Sequence, residues 1–136
     1  MKATDEVIQK MRAAAEVAMK KAYCPYSKFP VGAAVLTEKH EVFAGCNIEN
    51  ASLGLSMCAE RNAVFQAVSK GRRKIVALVI VTPTSVPTPP CGACRQVISE
   101  FGNQAEVFSF SKDGNVHYFH LNKLLPEAFG SDMLPK

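Results

Sequence analysis

Ile75-Val76-Ala77-Leu78-Val79-Ile80-Val81 is an unbroken apolar run of strand length. A strand with no polar alternation is covered on both faces, so this one predicts a sheet lying between two helical layers. Its flanks agree. From Cys58 onward, Ala59, Ala63, Val64, Ala67 and Val68 recur at helical spacing until Gly71 ends the stripe, which places a helix before the strand. After it, Thr82 to Pro90 holds four of the eight prolines of the chain. That density predicts a stiff, irregular loop delivering Cys91 to the start of another helix, which reaches about Phe101.

Farther out, Val7, Ile8, Met11, Ala14, Ala15 and Ala18 mark an amphipathic helix between Asp5 and Ala22, with Thr4 placed as its N-cap. Pro25 and Pro30 then interrupt helical structure. Val31 to Thr37 and Glu41 to Cys46 predict a hairpin around Glu38-Lys39-His40. Glu106 to Phe110 and Val116 to Phe119 predict strands on either side of the Lys112-Asp113-Gly114-Asn115 turn, with a short helix around Leu121 to Leu125. No repeat, low-complexity tract or linker intervenes. The expected architecture is an α/β fold in one domain over residues 1–136, a three-layer α/β/α sandwich with a mixed central sheet.

A chain of 136 residues with 48% hydrophobic content is sufficient for one real core. The net charge of +4 is scattered. Its one cluster, Arg72-Arg73-Lys74, lies where a helix hands over to a strand and reads as a solvated turn. Tryptophan is absent, and no basic, aromatic-lined groove for a nucleic-acid strand is evident. No apolar run approaches the ~20 residues that span a bilayer, and Met1-Lys2-Ala3-Thr4-Asp5-Glu6 leads into alternating charges instead of a signal-peptide core. The expectation is a soluble, cytoplasmic protein with neither nucleic-acid nor membrane partners. Its five cysteines then read as ligands and buried thiols, not disulfides. Cys24 and Cys46 lack ligand spacing and are expected to be small apolar core residues.

The chemistry is concentrated in Cys58-Ala59-Glu60-Arg61 and Pro90-Cys91-Gly92-Ala93-Cys94-Arg95. Three thiolates from Cys58, Cys91 and Cys94 suit zinc by their softness, one ion per chain, and leave its fourth position open to water. With Cys58 opening one helix and Cys91 and Cys94 another, helix-end amides are expected to donate to the sulfurs. Glu60, two residues after a ligand, is placed to handle protons and so is the catalytic candidate. Arg61 and Arg95, each beside a ligand, are candidates to donate to sulfur and offset the net negative charge of the site. A closed structural site would need a fourth protein ligand. His40, His117 and His120 fall in or beside turns and a late strand, which disfavours that alternative.

Around these motifs, the Tyr23-Cys24-Pro25-Tyr26-Ser27-Lys28-Phe29-Pro30-Val31-Gly32-Ala33, Gly45-Cys46-Asn47-Ile48-Glu49-Asn50-Ala51 and Leu124-Leu125-Pro126-Glu127-Ala128-Phe129 stretches resemble the flanking motifs of the small, homotetrameric cytidine deaminases. The resemblance extends from about Tyr23 to Phe129 and implies the same sandwich fold. It further implies hydrolytic deamination of cytidine and deoxycytidine to uridine and deoxyuridine, with release of ammonia, in pyrimidine salvage. Asn47 and Glu49 are implied to hold the sugar of the nucleoside, Phe29 to pack on the pyrimidine, and the Ala59 amide to meet the base carbonyl. Ala51, Leu53 and Phe129 are implied to serve an adjacent subunit's site in a homotetramer. Leu53 departs from the pattern, since many members carry an aromatic there. A polynucleotide cytosine or adenine deaminase is the alternative enzyme, and a structural zinc module the alternative without catalysis.

Overall fold

The computed structural model describes residues 2–135. In chain order the elements are α1 (Asp5–Met19), β1 (Gly32–Thr37), β2 (Val42–Cys46), a 3₁₀ turn (Leu53–Leu55), α2 (Ala59–Ser69), β3 (Ile75–Val81), α3 (Gly92–Gly102), β4 (Glu106–Phe110), β5 (Val116–His120), α4 (Leu121–Leu124) and a second 3₁₀ turn (Ser131–Met133). The five strands form one sheet in the order β2-β1-β3-β4-β5. Only β3 and β4 run parallel, joined through α3, and the other pairs are antiparallel. The sheet is therefore mixed, and helices cover both faces, as expected.

Alternation along the central strands divides the core into two layers. Ala33, Val35, Leu78, Ile80 and Val107 face α2 and α3, where Ala63, Val64 and Ile98 meet them. Ala34, Leu36, Val79 and Phe110 face Ile8, Met11 and Ala15 of α1. Each fully buried leucine or isoleucine contributes about 1.5–3 kcal/mol, so the apolar run of β3 stabilises both layers at once. Two glycines set the closeness of fit. A Cβ on Gly32 would lie 1.9 Å from the Ala15 carbonyl oxygen, and one on Gly45 would lie 2.6 Å from the Ala63 nitrogen, so α1 and α2 rest directly on strand backbone.

The free edge of β2 is not left bare. Asn62 Nδ2 donates to the Cys46 carbonyl (2.8 Å) and Gln66 Nε2 to that of Ala44 (3.3 Å), so α2 occupies acceptors through which another strand could pair.

Thr4 caps α1 as expected, its hydroxyl accepting from the Val7 N–H. The helix ends at Met19, earlier than the expected Ala22. Lys21 and Ala22 make tighter bonds to the Ala18 and Met19 carbonyls, and the Tyr23 N–H is taken by Asn47 O as Tyr23 bridges to Ile48. Gly71, at φ 85°, terminates α2. Arg72 then pairs with Glu41 across the following turn, while Arg73 and Lys74 are exposed, in keeping with a solvated turn. Cys24 and Cys46 do not enter either core layer. Both are only half-buried, because they lie on the irregular segments beside the Tyr23–Ile48 bridge and at the sheet edge.

Candidate active site

The prolyl loop after β3 and the turn before α2 bring three sulfurs together at the amino ends of two packed helices. Cys58 is the N-cap residue of α2, Cys91 is that of α3, and Cys94 lies buried in the first turn of α3. Their sulfurs all lie within 4.8 Å of one another, with Cys58 to Cys91 at 3.9 Å and Cys91 to Cys94 at 3.4 Å. Disulfide bonding requires about 2.05 Å, whereas tetrahedral thiolates at about 2.3 Å from one zinc ion stand about 3.8 Å apart. The donor set and its spacing fit zinc, one ion per chain. No histidine or fourth cysteine joins this cluster among the described residues.

The expected amide donors are not engaged. Neither the Cys58 nor the Cys91 side chain makes a capping hydrogen bond. The sulfurs turn toward each other instead, and a side chain supplies the positive charge: Arg61 Nη2 donates to Cys58 Sγ at 3.4 Å. The Cys58 thiol is pulled down to about 5, first by hydrogen bonding from Cys94 and then by Arg61. The closeness of Cys58 and burial push the Cys94 thiol in the opposite direction, up.

Arg95 behaves differently from Arg61. Its Nε donates to the Pro90 carbonyl at 2.8 Å and its Nη1 to that of Leu124 at 3.1 Å. The expected bond from Arg95 to a sulfur is replaced by two bonds to backbone. Because the second acceptor is 29 residues away in sequence, local spacing around Cys94 could not reveal it.

Glu60, 6% exposed, lies in the first turn of α2 beside Cys58. Burial pushes its carboxyl up to about 7, with the Cys58 thiolate acting in the same direction against the favourable backbone N–H. A carboxyl poised near neutrality can both accept and return a proton. Ala59 precedes it as the first residue of the helix, where a backbone N–H has no intrahelical acceptor.

Ile48 connects the remaining candidates to the sulfurs. It bridges to Tyr23 on one side and to Met57, the neighbour of Cys58, on the other. This places the Asn47 to Glu49 stretch between the Phe29 segment and the metal ligands. Asn47 Oδ1 accepts from the Val31 N–H and its Nδ2 donates to the Phe29 carbonyl, both at 2.9 Å. Glu49 Oε1 accepts from the Tyr26 and Ser27 N–H groups at 3.1 Å, and its Oε2 takes a short hydrogen bond from the Ser27 hydroxyl. These bonds, led by the Ser27 hydroxyl, hold the Glu49 carboxyl below its ordinary range. Ser27 also accepts from the Phe29 N–H at 3.1 Å. Ser27 is not among the candidates named from the sequence, although a hydroxyl two residues before Phe29 in a turn is a usable signal.

Asn47 and Glu49 thus fasten the segment that carries Phe29. Phe29 is half-buried, while Ala51, Leu53 and Phe129 are exposed in the single chain, Leu53 to 70% and Phe129 to 56%.

A family model described as the cytidine and deoxycytidylate deaminase zinc-binding region matches residues 5–110. The chain is 47% identical over 128 residues to a cytidine deaminase of Sporosarcina psychrophila, covering 93% of this chain and 94% of that protein. The crystal structure of cytidine deaminase from Burkholderia pseudomallei superposes with a TM-score of 0.85 at 47% identity, covering 89% of this chain and 98% of the other. The Mycobacterium tuberculosis enzyme gives 0.79 at 38% identity, covering 94% and 99%. With the three-thiolate cluster and the mixed sandwich already in place, these similarities establish that the chain belongs to the cytidine and deoxycytidylate deaminase family.

Proposed function

We propose that this chain is a zinc-dependent cytidine deaminase, which hydrolyses cytidine and deoxycytidine to uridine and deoxyuridine with release of ammonia, in pyrimidine salvage. The observation that carries the reading is the juxtaposition of a three-thiolate donor set with buried Glu60 on the same helix as Cys58, in a chain of this family. Zinc held by Cys58, Cys91 and Cys94 supplies a Lewis acid that makes water nucleophilic near neutral pH.

Glu60 does the proton work. Its carboxylate takes one proton from the attacking water and gives it to the ring nitrogen next to the amino-bearing carbon. It then carries the second water proton to the amine as the carbon–nitrogen bond breaks, so water and cytidine are consumed and uridine and ammonia formed. The Ala59 N–H meets the base carbonyl and Phe29 packs on the ring. Asn47 and Glu49 retain hydrogen-bonding capacity beyond their bonds to the Phe29 segment and hold the sugar hydroxyls. An ionised Glu49 beside the sugar also repels flanking phosphates, which favours a free nucleoside over a polynucleotide.

Residues 1–136 form one catalytic domain in this reading, acting in the cytoplasm as a homotetramer. The exposure of Leu53 and Leu55, to 70% and 69%, and of Phe129 supports sites completed by a neighbouring subunit. Among the described residues no helix is long and apolar enough to cross a membrane.

An ultraviolet assay of the zinc-loaded protein with cytidine, deoxycytidine, their monophosphates and a cytosine-containing oligonucleotide tests the proposal. Turnover of the two nucleosides, with poor turnover of the others, is expected. Comparable turnover of the oligonucleotide would transfer the assignment to polynucleotide deamination, and inertness toward every substrate would leave a structural zinc module.

A further inference from the structure

The segment carrying Phe129 has little of its own to hold it. α4 ends at Leu124, Pro126 follows, and Glu127 adopts a left-handed conformation (φ 52°) that is uncommon outside glycine. Phe129 is 56% exposed, so core packing does not fix it. What fixes the backbone is α3. Arg95 Nη1 bonds the Leu124 carbonyl at 3.1 Å, at the base of the segment, and Gln96 Nε2 bonds the Phe129 carbonyl itself at 2.9 Å. These consecutive residues directly follow Cys94, and the Nε of Arg95 also holds Pro90, immediately before Cys91.

We infer that Gln96 is a positioning residue for substrate binding: through the Phe129 carbonyl, the helix that carries two zinc ligands also sets where the terminal aromatic ring stands. The inference rests on the proposed contact between Phe129 and the nucleoside. An amide suits position 96. The partner is a carbonyl, which an N–H can satisfy and a carboxylate would repel. Arg95 secures the metal loop together with the base of the segment, while Gln96 bonds only its tip and is therefore separable from metal binding.

Steady-state kinetics with cytidine on zinc-loaded wild type, Gln96→Ala, Gln96→Glu, Phe129→Ala and the double variant Gln96→Ala/Phe129→Ala, each with zinc content and Tm measured, test the inference. Gln96→Ala should raise KM about 3- to 10-fold, the range open to one intramolecular hydrogen bond, with kcat and zinc content near wild type. Gln96→Glu should raise KM at least as much. In the Phe129→Ala background the Gln96 substitution should add nothing, because the ring it positions is gone. An unchanged KM in both Gln96 variants, a full additional effect in the double variant, or a kcat loss that tracks zinc loss would each overturn the role. If Phe129→Ala itself keeps the wild-type KM, the contact assigned to Phe129 falls and the role of Gln96 falls with it. An altered KM in Phe129→Ala but not in the Gln96 variants removes only the latter.

Discussion

Arg61 reaches back one helical turn to place Nη2 3.4 Å from the sulfur of Cys58, while its buried Nε meets no acceptor among the described residues. The guanidinium donates to the Cys58 sulfur and helps to hold its thiol below the ordinary range. Arg61→Ala should therefore raise the Cys58 pKa, so that protons compete with zinc at higher pH than in the wild type. Loss of a group that supports a ligand lowers metal affinity or activity by about 10- to 100-fold. Zinc content after dialysis at a series of pH values from about 8 to about 5 checks this. Superimposable retention curves would assign Arg61 no part in holding the metal.

Glu60→Gln removes the proton carrier and retains the shape of the side chain. Zinc content and Tm should remain close to wild type, since none of the three sulfur donors is altered. kcat should fall by about 10²–10⁴-fold, the range supplied by a positioned acid–base group. Measurement of kcat alongside zinc content separates this from loss of metal, and turnover near wild type would remove Glu60 from the chemistry.

The pH response of Glu49 has a defined sign. Its carboxyl lies below the ordinary range because the Ser27 hydroxyl and the Tyr26 and Ser27 amides bond its ionised form. A depressed pKa means that the interaction is present above the unfolded pKa and is lost as pH falls through the folded one. Ser27→Ala should raise the folded pKa of Glu49 and shift the acid limb of kcat/KM upward in pH. Profiles over the acid range for wild type and Ser27→Ala decide the matter. Coincident limbs would show that the Glu49 charge does not govern binding.

The most legible features of the chain are those whose physics is local. The β3 run announces burial on both faces because no polar residue interrupts it, and Cys91 and Cys94 fall within hydrogen-bonding distance because a helix brings positions three apart together. Long-range partners are not legible. Nothing near Arg95 in sequence indicates that it bonds Leu124, and the bonds between Glu49 and residues 26 and 27 form only after Ile48 bridges to Tyr23. Cys24 and Cys46 depart from the expected core placement because cysteine is usually buried, whereas these two lie beside a sheet edge. The Phe129 motif is visible in the sequence, but its tie to Gln96 spans 33 positions and has no sequence period.

Gly45 provides a test of the fit between sheet and helix. An added methyl group would press on the backbone of Asn62 and Ala63, which cannot swing aside as a side chain can. Gly45→Ala should lose about 1–3 kcal/mol of stability. Gly54→Ala is the control, since a Cβ there meets no atom within 4 Å. Thermal or denaturant unfolding should separate the two variants. Equal stability of both would show that α2 can lift from β2 without penalty.

Shared sites can be tested by subunit mixing, whatever the geometry of the assembly. If Phe129 serves a neighbouring subunit, Phe129→Ala chains retain a working Glu60, and Glu60→Gln chains retain a Phe129 that they can lend. A mixed oligomer then contains some sites in which both groups are intact, although each variant alone contains none. Co-refolding the two inactive or impaired proteins should recover part of the wild-type activity, while mixing without dissociation should recover none. If Phe129 instead acts within its own chain, every site in the mixture still lacks one component at any subunit ratio. Native mass spectrometry establishes whether mixed oligomers have formed. Mixed oligomers with no recovered activity would reject the shared-site arrangement while leaving the zinc cluster and Glu60 unaffected.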